Sequence, residues 1–153
     1  MVIGSLAERP ESAGALTALL RLVWPEWYGP DGPGDATRDV AQRCRSNGMP
    51  LGLVAVDDEG HVVGTVSLGA SSHGARGAEA PWIIGLAVHP DHRGRGLAAA
   101  LIKAATERAG EMGHSTLFAA TSRAAPIFRE AGWEELRRHD DGTLIFRRAL
   151  SPP

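Results

Sequence analysis

The segment with the most chemical content is Val88-His89-Pro90-Asp91-His92-Arg93-Gly94-Arg95-Gly96-Leu97-Ala98. It follows an apolar run and opens a stretch with helical spacing. The first turn of a helix carries backbone N–H groups that have no partner inside the helix. The helix dipole adds partial positive charge there, so a pyrophosphate can accept several of these donors together. Gly94 and Gly96 lack the Cβ atoms that would obstruct the phosphates. Arg93 and Arg95 add charge, and guanidinium forks suit phosphate oxygens. A tight turn without a ligand is the plain alternative for such a glycine pair. The spacing is not the Gly-x-Gly-x-x-Gly of a dinucleotide site, and no Gly-Lys-Ser/Thr follows as in a nucleotide P-loop.

Other residues invite chemistry less strongly. Trp24, Trp27, Tyr28 and Trp82 either line a pocket for a ligand with an apolar or cationic body or simply cover the core. Asp140 and Asp141 fall in a turn, where aspartate serves structure. His89-x-x-His92 has no acidic or cysteine ligand at metal spacing, so no metal site is expected among the six histidines. Spacing suggests no Ser/His/Asp or Cys/His arrangement.

The elements that must position the glycine turn follow from periodicity and breakers. Val2 to Leu6 reads as an edge strand. Glu11 to Trp24 reads as a helix stopped by Pro25, and Glu26 to Gly34 as a Pro/Gly loop. Asp35 caps a second helix that runs to about Asn47. Leu51–Val56 and Val62–Leu68 form a hairpin around Asp57-Asp58-Glu59-Gly60. Ala70 to Glu79 is a loop of small residues, and Trp82–Val88 is apolar enough for a central strand. A helix from Leu97 to Met112 ends at Gly113 and leads to a strand at Ser115–Ala120. Strand, helix and strand make the crossover that joins parallel strands. Thr121 or Ser122 caps a short helix with Pro126 in its first turn, which ends near Gly132. Trp133–Arg137 and Thr143–Arg148 close the chain as a second hairpin.

The 153 residues suit one domain, expected over residues 1–150 with a short tail at 151–153. A net charge of −2 argues against a general nucleic-acid binder. The arginines cluster at Arg93/Arg95, Arg137/Arg138 and Arg147/Arg148, which points to a small anionic ligand or to solvated pairs. No apolar run approaches the roughly 20 residues of a membrane span. A single cysteine, Cys44, suits a reducing cytoplasm.

The run Arg93-Gly94-Arg95-Gly96-Leu97-Ala98 resembles the Arg/Gln-x-x-Gly-x-Gly/Ala signature of the GCN5-related N-acetyltransferase (GNAT) family. Ala124-Ala125-Pro126-Ile127-Phe128-Arg129-Glu130-Ala131-Gly132-Trp133 is similar to that family's second signature, and the order of elements matches over almost the whole chain. The resemblance implies an α/β fold: a mixed sheet of six to seven strands flanked by about four helices, with a splayed parallel pair. It implies an acetyl-CoA cofactor in the cleft between Trp82–Val88 and Ser115–Ala120. Leu86, Ala87 and Val88 would hold the pantetheine arm, and Arg93, Gly94, Arg95, Gly96, Leu97 and Ala98 the pyrophosphate. Thr121, Ala124 and Phe128 would line the other wall, and Gly85 would mark the bulge that opens the strands.

Acetyl transfer also requires an amine to lose a proton at a pKa of about 10. The family's frequent acid, a tyrosine, is replaced here by Phe128. Either Tyr28 substitutes, or the thiolate (pKa of about 8.5) leaves unassisted, or activity is lost. The family's strand glutamate falls near Trp82. Glu79 and Glu26 are the remaining carboxylates for the base, unless both are merely solvated. The expected acceptor is a small-molecule or peptide amine, and the family's habit adds a possible homodimer. The other two readings are a non-catalytic acyl-CoA-binding module and a nucleotide binder.

Overall fold

β2 (Leu51–Val56) and β3 (Val62–Gly69), buried at every position, build one half of a sheet with β1 (Val2–Ser5) on its edge. The computed structural model describes residues 1–151. The tail expected at 151–153 therefore lies outside the described residues except for Ser151. β4 (Trp82–Val88), β5 (Thr116–Thr121), β6 (Glu134–Arg138) and β7 (Leu144–Ala149) complete seven strands in the order β1-β2-β3-β4-β5-β7-β6. Every neighbouring pair is antiparallel except β4 and β5, which run parallel. Among the described residues no helix is long and apolar enough to cross a membrane.

The helices divide between the two faces. α4 (Leu97–Glu111) lays Leu97, Leu101, Ile102, Ala105 and Ala109 on one face, against Leu53, Val66 and Ile83. Gly64 of β3 permits that approach, since a Cβ there would lie 2.9 Å from Leu101 Cδ1 and 3.2 Å from Leu97 Cδ2. α1 (Ala13–Val23) and α3 (Ala36–Arg43) cover the other face through Leu16, Leu20 and Val40, which pack on Val54 and Val62. α5 (Ala125–Glu130) follows β5.

Two elements differ from the sequence expectation. Pro25 ends α1 but also starts α2 (Pro25–Tyr28), because proline is pre-set for a first helical position. Part of the expected loop at Glu26–Gly34 is therefore one helical turn. Asp35 does cap α3, accepting from the Arg38 N–H at 3.0 Å. The helix stops at Arg43 rather than near Asn47, since Cys44 has left helical geometry and Ser46-Asn47-Gly48 has little helix propensity.

Side chains tie the Ala70–Glu79 loop to the last hairpin. Arg137 of β6 donates to both Glu79 oxygens, at 2.6 and 2.7 Å, and to the Gly74 carbonyl at 2.7 Å. The Arg76 N–H also donates to Glu79, at 2.9 Å. His73 meets Asp141 at 2.6 Å. The two β6 carboxylates are also engaged: Glu134 with Arg147 and Glu135 with Arg129.

Two outcomes follow. Gly64→Val should overpack the α4 contact and lower stability by about 1–3 kcal/mol, read from the denaturant midpoint. The Arg137 hydrogen bonds hold the Glu79 carboxyl below its ordinary 4.5. The resulting stabilisation is complete above pH 4.5 and lost as pH falls through the lowered value. The stability gap between wild type and Glu79→Gln should therefore be widest above pH 4.5 and narrow below it. A gap that stays constant through acid unfolding would contradict the pairing.

Candidate active site

β4 is the strand on which the site depends. It pairs with β5 at only two positions, Trp82 with Phe118 and Ile83 with Ala119. Beyond Ile83 the two strands separate. Gly85, next but one, has φ +59°, a conformation that L side chains rarely adopt. Pairing with β3 also shifts register there, from Ser67–Ile84 to Thr65–Ala87. The bulge expected at Gly85 is present.

Strand alternation then determines which backbone groups face the gap. The His89 N–H donates to Val63 of β3 at 2.8 Å. Ala87, two residues back, therefore also faces β3, where it pairs with Thr65. Leu86 and Val88 turn their backbone groups to the open side. The Val88 carbonyl accepts from Arg93 Nε at 3.3 Å.

α4 starts at the end of this edge. Its N-cap is Gly96, with φ +77° and no side-chain cap. Gly94 also has φ +77°, and a Cβ on either glycine would meet nothing within 4 Å. Both glycines are required for their left-handed backbone, and the space above them is open. Ala100 returns its N–H to Gly96 at 3.1 Å, so the donors before it have no helical partner. Arg93, Gly94, Arg95 and Gly96 are exposed, Ala98 is half-buried, and Leu97 anchors the turn in the core. Uncapped donors, open space and a neighbouring arginine fit a pyrophosphate.

The far wall is built at the β5–α5 junction. Thr121 Oγ1 accepts from the Ala124 N–H at 2.8 Å and the Arg123 N–H at 3.3 Å, which fixes the turn. Phe128 sits behind it, only 2% exposed. It stands edge-on to Trp133 at 5.0 Å and stacks on Phe146 at 5.6 Å. Its ring is core and supports the wall from behind.

The three carboxylate and phenol candidates are placed differently. Glu79 is saturated by Arg137 and Arg76 and held ionised. The Tyr28 hydroxyl donates to Asp39 Oδ2 at 2.7 Å, and burial, seconded by that bond, pushes it up. Glu26, on α2, is exposed.

Three features were not read from sequence. The Glu79–Arg137 pair joins residues 58 apart and has no local signal. His73, His139 and Asp141 gather at the hairpin turn, although no metal-ligand grouping was expected among the histidines. Arg43, at the end of α3, reaches β4: a Cβ on Gly85 would lie 2.8 Å from its Nη1.

Comparison with known proteins agrees with this geometry. The model of the Acetyltransferase (GNAT) family matches residues 16–133. The uncharacterized N-acetyltransferase YhbS of Escherichia coli (strain K12) is 31% identical over 136 residues, covering 87% of this chain and 74% of that protein. The crystal structure of E. coli YhbS in complex with CoA superposes with a TM-score of 0.70 and 26% identity, over 98% of this chain and 81% of that one. An aminoglycoside 6'-N-acetyltransferase complexed with coenzyme A has a TM-score of 0.78 over 100% of this chain and 99% of that one, at 15% identity, which shows the shared fold alone. The divided β4–β5 pair, the uncapped glycine turn and these matches together place the chain in the GNAT family of N-acetyltransferases, whose cosubstrate is acetyl-CoA.

Proposed function

We propose that this chain transfers the acetyl group of acetyl-CoA to a primary amine in a direct, single-step attack. The observation that carries the reading is the open edge of β4 from Gly85 to Val88, continuous with the uncapped N-terminus of α4. Bound acetyl-CoA would supply a thioester at which an amine forms a C–N bond while the C–S bond breaks, with CoA leaving as the thiolate and the amine proton passing to water.

The protein's own groups divide the remaining work. Backbone groups of Leu86 and Val88 align the pantetheine arm as an added strand would. The N–H groups from Gly94 to Ala98, with Arg95, hold the pyrophosphate. Thr121 and Ala124 wall the opposite side. A backbone N–H of the β4 strand is suited to stabilise charge developing on the carbonyl oxygen.

Acid–base assistance is slight. Phe128 offers no proton, and a thiolate with a pKa of about 8.5 leaves without one. Tyr28 remains protonated at neutral pH, with its proton directed to Asp39. Glu79 is a weak base because its lowered pKa and its two arginine bonds stabilise the ionised form. Water therefore takes the amine proton, and Glu26, exposed on α2, attracts the incoming ammonium.

The first test is CoA release from acetyl-CoA with a panel of amines, amino acids, aminoglycosides and peptides. Acceptor-dependent release is expected. Tight acetyl-CoA binding with no turnover on any acceptor would overturn the transferase in favour of a binding module. Gly96→Trp should weaken CoA binding by about tenfold or more, because it fills the anion seat. Unchanged affinity in the folded variant would refute that placement.

A further inference from the structure

The face of β4 opposite α4 holds a cation without a counterion. Arg43 makes no ion pair among the described residues, and beside its guanidinium stands the neutral Tyr28 hydroxyl. Its helix neighbour one turn back, Asp39, is already engaged. That carboxylate accepts from Tyr28 at 2.7 Å and lies 3.8 Å from Arg38. Arg43 is nevertheless half-buried and not displayed to bulk water.

Its path across the sheet is set by missing side chains. A Cβ on Gly52 of β2 would lie 3.1 Å from Arg43 Cβ, and a Cβ on Gly85 of β4 would lie 2.8 Å from Arg43 Nη1. The arginine therefore runs from β2 to the β4 bulge. Between them, Ser67 of β3 pairs with Gly52 on one side and Ile84 on the other. Cross-strand partners direct side chains to the same face, so Ser67 lies in the row that Arg43 crosses. Ser67 is 1% exposed, and its Oγ is the only buried hydroxyl among the described residues with no hydrogen-bond partner. A buried hydroxyl left unpaired costs free energy that a bound ligand atom would recover.

We infer that Arg43 and Ser67 form a carboxylate seat at the reacting end of the cleft, so that the acceptor is a small amine bearing a carboxylate. This rests on the transferase reading above. The glycine turn and α4 lie against the opposite face, so a thioester threaded through the β4–β5 gap emerges beside Gly85 on the Arg43 side. The guanidinium fork matches the two oxygens of a carboxylate, and Ser67 adds one donor. The same cation repels polycations, which separates this acceptor from the aminoglycosides named for the fold neighbours.

The test compares glycine, methionine and phenylalanine with their own carboxamides as acceptors, by CoA release. The acids should show kcat/KM about tenfold higher or more, mainly through KM. Arg43→Met should bring each acid to within about twofold of its amide, and Ser67→Ala should narrow the gap in part. Unchanged CoA affinity shows that both variants fold. Amides that match the acids, or an acid preference indifferent to Arg43→Met, would overturn the seat. If neither set is acetylated, the transferase reading fails by itself. Calorimetry on the CoA-saturated protein then decides the seat: acid binding that is lost in Arg43→Met sustains it, and no binding of any acid overturns it.

Discussion

A strand in the middle of a sheet normally satisfies both of its edges. β4 satisfies one. After Ile83 its second edge faces a gap, and Gly85 turns the backbone out of register just where the gap opens. Backbone donors and acceptors so placed are costly to bury and cheap to share, so the cleft is built to accept an extended amide-bearing ligand. The wall at Thr121, the helix start at Gly96 and the row at Ser67 all depend on this divergence, because each is measured from β4.

The sheet also separates two kinds of recognition. On one face, the backbone N–H groups and Arg95 of the proposed anion seat offer a geometry any pyrophosphate can use. On the other, the proposed acceptor seat is made of side chains, Arg43 from α3 and Ser67 from β3. Such a division lets one face be kept while the other changes. Acyl-donor binding and acceptor choice can thus diverge independently on one scaffold.

What was legible in the sequence was local. Continuous apolar character gave Trp82–Val88 its limits, and the glycine–arginine run gave the start of α4, because each signal lies within a few residues. The end of α3 was read too late, since Gly48 and Pro50 looked like the stop while the helix had already ended at Arg43. The engagement of Glu79 and the reach of Arg43 were not legible. One depends on a partner 58 residues away, and the other on Gly52 and Gly85 lying in one row of the sheet. Phe128 could be matched to a signature by position, but only packing against Trp133 and Phe146 shows that its ring belongs to the core.

The β6 edge has a consequence beyond the site. Edge strands invite pairing with other chains unless something blunts them. Of the five residues of β6, Glu134, Glu135 and Arg137 are each held by a charge elsewhere in the same molecule. A strand arriving from another copy would have to desolvate or break those pairs to lie flat against it. Growth of the sheet into an aggregate is therefore opposed at this margin by the same arginine that fastens the β3–β4 loop.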